Sequence, residues 1–186
     1  MALIVGMHFA TLFLMIQYFQ QVLELTPLLA GFAYMPLTIA VFIVTHFMPR
    51  LIDKFGLRAL IVAGCILVAV SLVSFSMLDK TSGYWSDVLL PLLIHSVAIA
   101  LVFTPGSIII MDGVEDNQAG VMSGVLQMAQ QIGGAIGIAA ILTIYTAYLK
   151  PGIFHSGLGN AFKIAAIVCD FASLIAFLTI SSKKKL

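Results

Sequence analysis

Apolar residues run in stretches as long as a bilayer core is thick, and six such stretches take up nearly all of the 186 residues. A membrane-crossing helix needs roughly 20 predominantly apolar residues at about 1.5 Å rise each. The stretches lie near 2–23, 29–48, 59–78, 88–111, 120–149 and 160–180. Hydrophobic residues make up 61% of the chain and charged residues 9%, where a soluble domain carries about a quarter charged. No water-soluble fold hides that much apolar surface. The expectation is an all-α, multi-pass membrane protein with six transmembrane helices in a single bundle over 1–186, in contact with the lipid bilayer. Ala2-Leu3-Ile4-Val5 has neither the basic leader nor the short apolar core of a signal peptide. A chain that enters the bilayer at its second residue is expected to lack an upstream part.

Lys and Arg in the short loops set the orientation. With six spans both termini share a side. Placing that side in the cytoplasm puts Arg50, Lys54, Arg58, Lys183, Lys184 and Lys185 inside, and only Lys80, Lys150 and Lys163 outside. Both termini are therefore expected to be cytoplasmic, in the cell (inner) membrane. The acidic loop with Asp112, Glu115 and Asp116 is inside under this scheme, which carboxylates permit. Basic residues are scattered over loops, so nucleic acid is not an expected partner. Cys65 and Cys169 fall inside spans as small apolar side chains.

Several polar residues lie where lipid would reject them. Gln17, Gln20 and Gln21 share one helical face at the end of the first span, either lining a cavity or joining Tyr18 in an interfacial belt. In the fifth span Gly120 and Gly124, and then Gly133 and Gly137, stand four apart, the spacing that lets another backbone come close. Gln127, Gln130 and Gln131 lie between these pairs and must face protein or water. Asp170 sits in the middle of the sixth span, where a carboxylate costs roughly 2.5–3.5 kcal/mol. It is a proton-relay candidate, or a neutral acid bonded to a neighbour. His8, His46 and His95 also fall within spans, with His95 deepest among small residues and a candidate cavity-lining group. No histidine pair has metal-ligand spacing, no nucleophile stands beside a base, and no phosphate-cradling loop is present. The reading is a non-enzyme without metal or cofactor. Pro49–Arg58, PRLIDKFGLR, reads as a tight turn in which Asp53 and Arg58 lock two helix ends, or as basic flanking that orients them.

YFQQVLELTPLLAGFAYMP (Tyr18–Pro36), PRLIDKFGLR and AGVMSGVLQMAQQIGGAIGIA (Ala119–Ala139), in that order, resemble the carboxy-terminal half of fourteen-helix drug:proton antiporters of the major facilitator superfamily. The resemblance implies one six-helix half of a bundle that rocks about a midplane site. It also implies proton-coupled efflux of small amphipathic molecules, with the amino-terminal half missing. Asp53, Lys54, Gly56 and Arg58 match the family's cytoplasmic gate loop, whose leading glycine is Pro49 here. Gln127 and Gln130 stand where the family commonly has Asn and Arg, and Ser96, Ala98 and Ala100 replace the glycines of its fourth span. The substrate-cavity candidates, read from the polarity of the residues themselves, are Gln17, Gln20, Gln21, His95, Gln127 and Gln131, and Asp170 is the proton-site candidate on its burial cost alone. A second reading is a stand-alone six-helix protein acting as a homodimer or accessory subunit.

Overall fold

A computed structural model describes residues 2–149 and 157–179. All of its regular structure is helical: α1 (Ala2–Gln21), α2 (Pro27–Phe32), α3 (Met35–Phe55), α4 (Leu57–Phe75), α5 (Leu89–Met111), α6 (Ala119–Ala147) and α7 (Leu158–Thr179), with a π-helical turn over Tyr84–Val88 leading into α5. Five segments, Ala2–Gln21, Pro27–Phe55, Leu57–Phe75, Tyr84–Met111 and Ala119–Ala147, are long and apolar enough to cross a membrane. The sixth apolar stretch falls on α7. Lys150 and Lys183 to Lys185, used above for orientation, lie outside the described residues.

The helix ends follow from local chemistry. Thr26 caps α2 by accepting from the Leu29 amide, and Pro27 occupies its first turn, where a missing N–H costs nothing. Pro36 cannot donate to the Phe32 carbonyl, and the chain breaks between α2 and α3 at Ala33 and Tyr34.

Pro49 behaves differently, and here the sequence reading is corrected. The second span was expected to stop near 48 with Pro49–Arg58 as a turn. Instead α3 runs through Pro49 to Phe55, with only Gly56 between it and α4. A proline removes one helical hydrogen bond but does not oblige a stop when Met48 and Ile52 on either side are buried against a neighbour. Gly56 makes the stop at φ 78°, ψ 158°, a region essentially reserved for glycine, while its N–H donates to the Ile52 carbonyl at 2.8 Å.

The packing has a two-fold pattern. The first span lies against the fifth (α1 on α6), the fourth against the second (α5 on α3), and the third and sixth (α4 and α7) against each other. These three pairings match two three-helix units related by an axis in the membrane plane, while the most extensive packing, α4 on α5, exceeds its counterpart α1 on α7. The main core lies between α1, α4, α5, α6 and α7, around Leu14, Tyr18, Phe19, Cys65, Leu72, Phe75, Ile141 and Phe162. In the most apolar window of each segment, α1, α4 and α5 bury 50% or more, whereas α6 buries 17% and α2–α3 only 6%. α3 and α6, equivalent under the two-fold pattern, are thus the two that turn outward. Three tyrosines fasten one end of the bundle: Tyr18 donates to the Asp79 carbonyl at 3.0 Å, Tyr34 to the Leu12 carbonyl at 2.8 Å and Tyr84 to the Ala33 carbonyl at 2.8 Å.

Candidate functional site

At the junction of α1, α4 and α5 a chain of polar groups runs through a largely apolar core, in which Thr11 and Ser96 are also buried but bond to their own helices. His95 of α5 is fully buried; its Nε2 lies 3.1 Å from Nδ1 of His8 on α1, and its Nδ1 lies 2.9 Å from Ser71 Oγ on α4. The two imidazoles stack with centroids 5.3 Å apart and planes 20° apart, with Phe75 and Phe103 against them. Hydrogen counting orders the chain. Ser71 has one hydroxyl proton and uses it on the Val68 carbonyl, 2.7 Å away, which can only accept. Ser71 Oγ therefore accepts from His95 Nδ1–H. His95 Nε2 is then bare and accepts from His8 Nδ1–H. Both rings are neutral in this arrangement, and His8 Nε2 is left as the open acceptor. His8 is only partly buried while His95 is fully buried, so His8 is the more accessible ring of the pair.

Of the residues singled out from the sequence, His95 and His8 are therefore drawn into a built polar site, together with Ser71. Ser71 gave no signal in the sequence beyond being a hydroxyl inside an apolar span.

The glutamines do not join it. Gln21 donates to Gln17 at 2.9 Å along α1, and Gln20 is half-buried. Gln127 and Gln131 are exposed on α6. α1 and α6 run parallel, since a Cβ on Gly133 would meet Ala2 and one on Gly137 would meet the Gly6 backbone. Counting along both axes from that crossing at about 1.5 Å per residue places Gln17 and the α6 glutamines about 25–32 Å apart along the axis. The two sets occupy opposite ends of the bundle, so the expectation of one shared polar cavity does not hold within this chain.

The glycine pairs also part company. Gly133 and Gly137 stand at the crossing with α1, and a Cβ on Gly6 would come within 2.6 Å of the Gly133 carbonyl oxygen. Gly120 and Gly124 have open space around them, so among the described residues the packing expected of that pair has no partner. Asp170 is exposed on α7 beside the buried Cys169, directed away from the bundle interior.

In the loop segment, Asp53 and Lys54 are exposed in the last turn of α3, and Arg58 is half-buried in the first turn of α4. Lys54 and Arg50 lie over the rings of Phe55 and Phe47 at 5.2 and 5.5 Å. Beside this segment, between α3, α4 and α5, an apolar groove of about 520 Å³ is lined by Phe47, Leu51, Phe55, Leu60, Ala63 and Leu101 among others. Among the described residues, no three His, Cys, Asp or Glu side chains are placed to hold a metal ion.

Comparison with known proteins decides the family. The family model described as Major Facilitator Superfamily matches residues 1–138. The chain belongs to the major facilitator superfamily. This superfamily chain is 31% identical over 163 residues to the cephamycin export protein CmcT of Amycolatopsis lactamdurans, covering 86% of this chain and 33% of that protein. It is 29% identical over 142 residues to the multidrug resistance protein Stp of Mycobacterium tuberculosis (76% of this chain, 26% of that protein). To the puromycin resistance protein pur8 of Streptomyces alboniger it is 26% identical over 170 residues (89% and 34%). The chain thus spans about a third or less of the length of these relatives. Membership places it in a superfamily of multi-pass membrane proteins, and its six apolar stretches and helical packing suit one half-bundle of that superfamily.

Proposed function

We propose that this chain is the carboxy-terminal six-helix bundle of a proton-coupled exporter of drugs or other small amphipathic molecules, working by alternating access against a second bundle. The observation that carries this is the relatives' names, which are those of an antibiotic exporter and two drug-resistance proteins. No covalent step is needed. The two bundles rock about a site between them, and binding of substrate and proton biases which side is open.

In this reading the protein lies in the inner membrane with both termini cytoplasmic. Asp53, Lys54, Gly56 and Arg58 form the cytoplasmic gate loop. Gln17, Gln20 and Gln21 at the outer end, His95 at the centre, and Gln127 and Gln131 at the inner end contact substrate or the second bundle along the path. Asp170, too costly to expose to lipid as a carboxylate, is a proton-site candidate covered by another protein surface.

A second reading, in which two copies pair or the chain serves as an accessory subunit, is favoured by one observation: α3 and α6, related by the two-fold pattern, both turn outward. A copy related by an axis along the membrane normal would cover both.

Export of a fluorescent cationic dye from cells separates the two. Efflux that requires co-expression of a second, non-identical bundle supports the exporter half. Efflux from this chain expressed by itself supports the pair of copies and overturns the half-transporter.

A further inference from the structure

We propose that His8 and His95 together form a binding site for a single proton, entered at His8 Nε2 and ending at the centre of the bundle on His95. The proposal stands on the ordered hydrogen-bond chain. In the resting pair the only bare imidazole nitrogen is His8 Nε2, since Ser71 fixes the proton on His95 Nδ1 and His95 Nε2 accepts from His8.

A proton arriving at His8 Nε2 forms a new N–H bond there. The His8 Nδ1–H bond then breaks across the 3.1 Å contact as an N–H bond forms on His95 Nε2. His8 returns to neutral with its proton on Nε2, and His95 becomes the imidazolium, still donating from Nδ1 to Ser71. A second proton is refused by the same geometry, because it would set two N–H groups facing each other across that contact with no acceptor between them.

The surroundings add no competing charge. α4 brings the Cys65 thiol and α7 the Cys169 thiol, both buried. α6 presents Gly134 and Gly137 to α1 near His8, with Tyr145 further along. Toward α5, α3 presents Val41, Val44 and Met48. Tyr18, Tyr34 and Tyr84 are engaged with backbone carbonyls at the tyrosine-fastened end of the bundle. The Asp170 carboxylate is directed outward. A lone positive charge on this pair would thus be stabilised only by the hydroxyl chain and by a change in packing, which is how a buried imidazole reports protonation to its helices.

The site is a property of this chain. Its use in driving export rests on the proposed function, and the two fail separately. The test is nitrogen-15 spectroscopy of the histidine-labelled chain in lipid bilayers, titrated from about pH 8 to about pH 4, the range in which imidazoles change charge. The expected result is that near pH 8 His8 and His95 both carry their proton on Nδ1. On acidification the two change together in one single-proton step. His8→Gln abolishes that step and leaves His95 neutral throughout. Ser71→Ala, a milder change, moves the His95 proton off Nδ1. The proposal is overturned if His95 carries its proton on Nε2 near pH 8, if the two rings titrate in separate steps, or if neither takes up a proton over that range. A shared step in a protein whose export ignores the proton gradient would leave the site standing and remove the coupling.

Discussion

At Gly6, Gly133 and Gly137 one added methyl group would collide with the facing backbone. A Cβ at Gly137 would overlap the Gly6 backbone, which cannot move aside as a side-chain end does. Gly6→Ala and Gly137→Ala should each destabilise the bundle by about 1–3 kcal/mol, as overpacking does, whereas Gly124→Ala, in open space, should stay within about 0.5 kcal/mol. Thermal unfolding of the three variants in one lipid composition measures this, and equal effects would contradict a close α1–α6 crossing. At the tyrosine-fastened end, Asp79 accepts from the hydroxyl and amide of Thr81 and from the amide and hydroxyl of Ser82. These bonds, the Thr81 hydroxyl's first, hold its carboxyl below the usual aspartate value. A depressed carboxylate stabilises the folded turn fully above the ordinary range near pH 3.9 and loses that effect as pH falls through the lower folded value. Hydrogen exchange at Thr81 and Ser82, corrected for the intrinsic pH dependence, should lose protection only in that acidic window, and Asp79→Asn should remove the dependence. Legibility at this scale was uneven. His95 stood out because an imidazole deep in an apolar span is costly, but its partners lie 24 and 87 residues away, and no local pattern links them. Gly133 and Gly120 had the same spacing signal; only the position of α1 separates them.

At the level of helices, hydropathy read the elements well, because in lipid every backbone polar group must be paired within the segment. The six stretches coincide with helices to within a few residues except where proline and glycine had to be weighed. Pro36 breaks a helix and Pro49 does not, a difference decided by the burial of Met48 and Ile52 beside α5 rather than by proline chemistry. Gly56 is the true boundary. Gly56→Ala should cost about 1–3 kcal/mol because its φ and ψ are closed to a residue with a Cβ. Pro49→Ala restores a backbone donor and should be neutral or stabilising. Unfolding of the two variants in parallel checks the ranking, and a more damaging Pro49→Ala would return the turn to 49–58.

On the scale of the whole molecule, the family was legible from three ordered segments, while the assembly of the site was not. Residues placed together on grounds of polarity turned out to lie at opposite ends, because a sequence carries depth along each helix but not which face meets which neighbour. The outward turn of α3 and α6 and the exposed Gln127, Gln131 and Asp170 belong to this scale, since in the proposed function they meet a further protein surface. The most direct test of the central claim is dye efflux from energised cells carrying this bundle with its second bundle, before and after a protonophore collapses the gradient. The account predicts efflux that stops when the gradient is lost and returns when it is restored. Efflux indifferent to the gradient, or none from protein shown to be inserted, would contradict it.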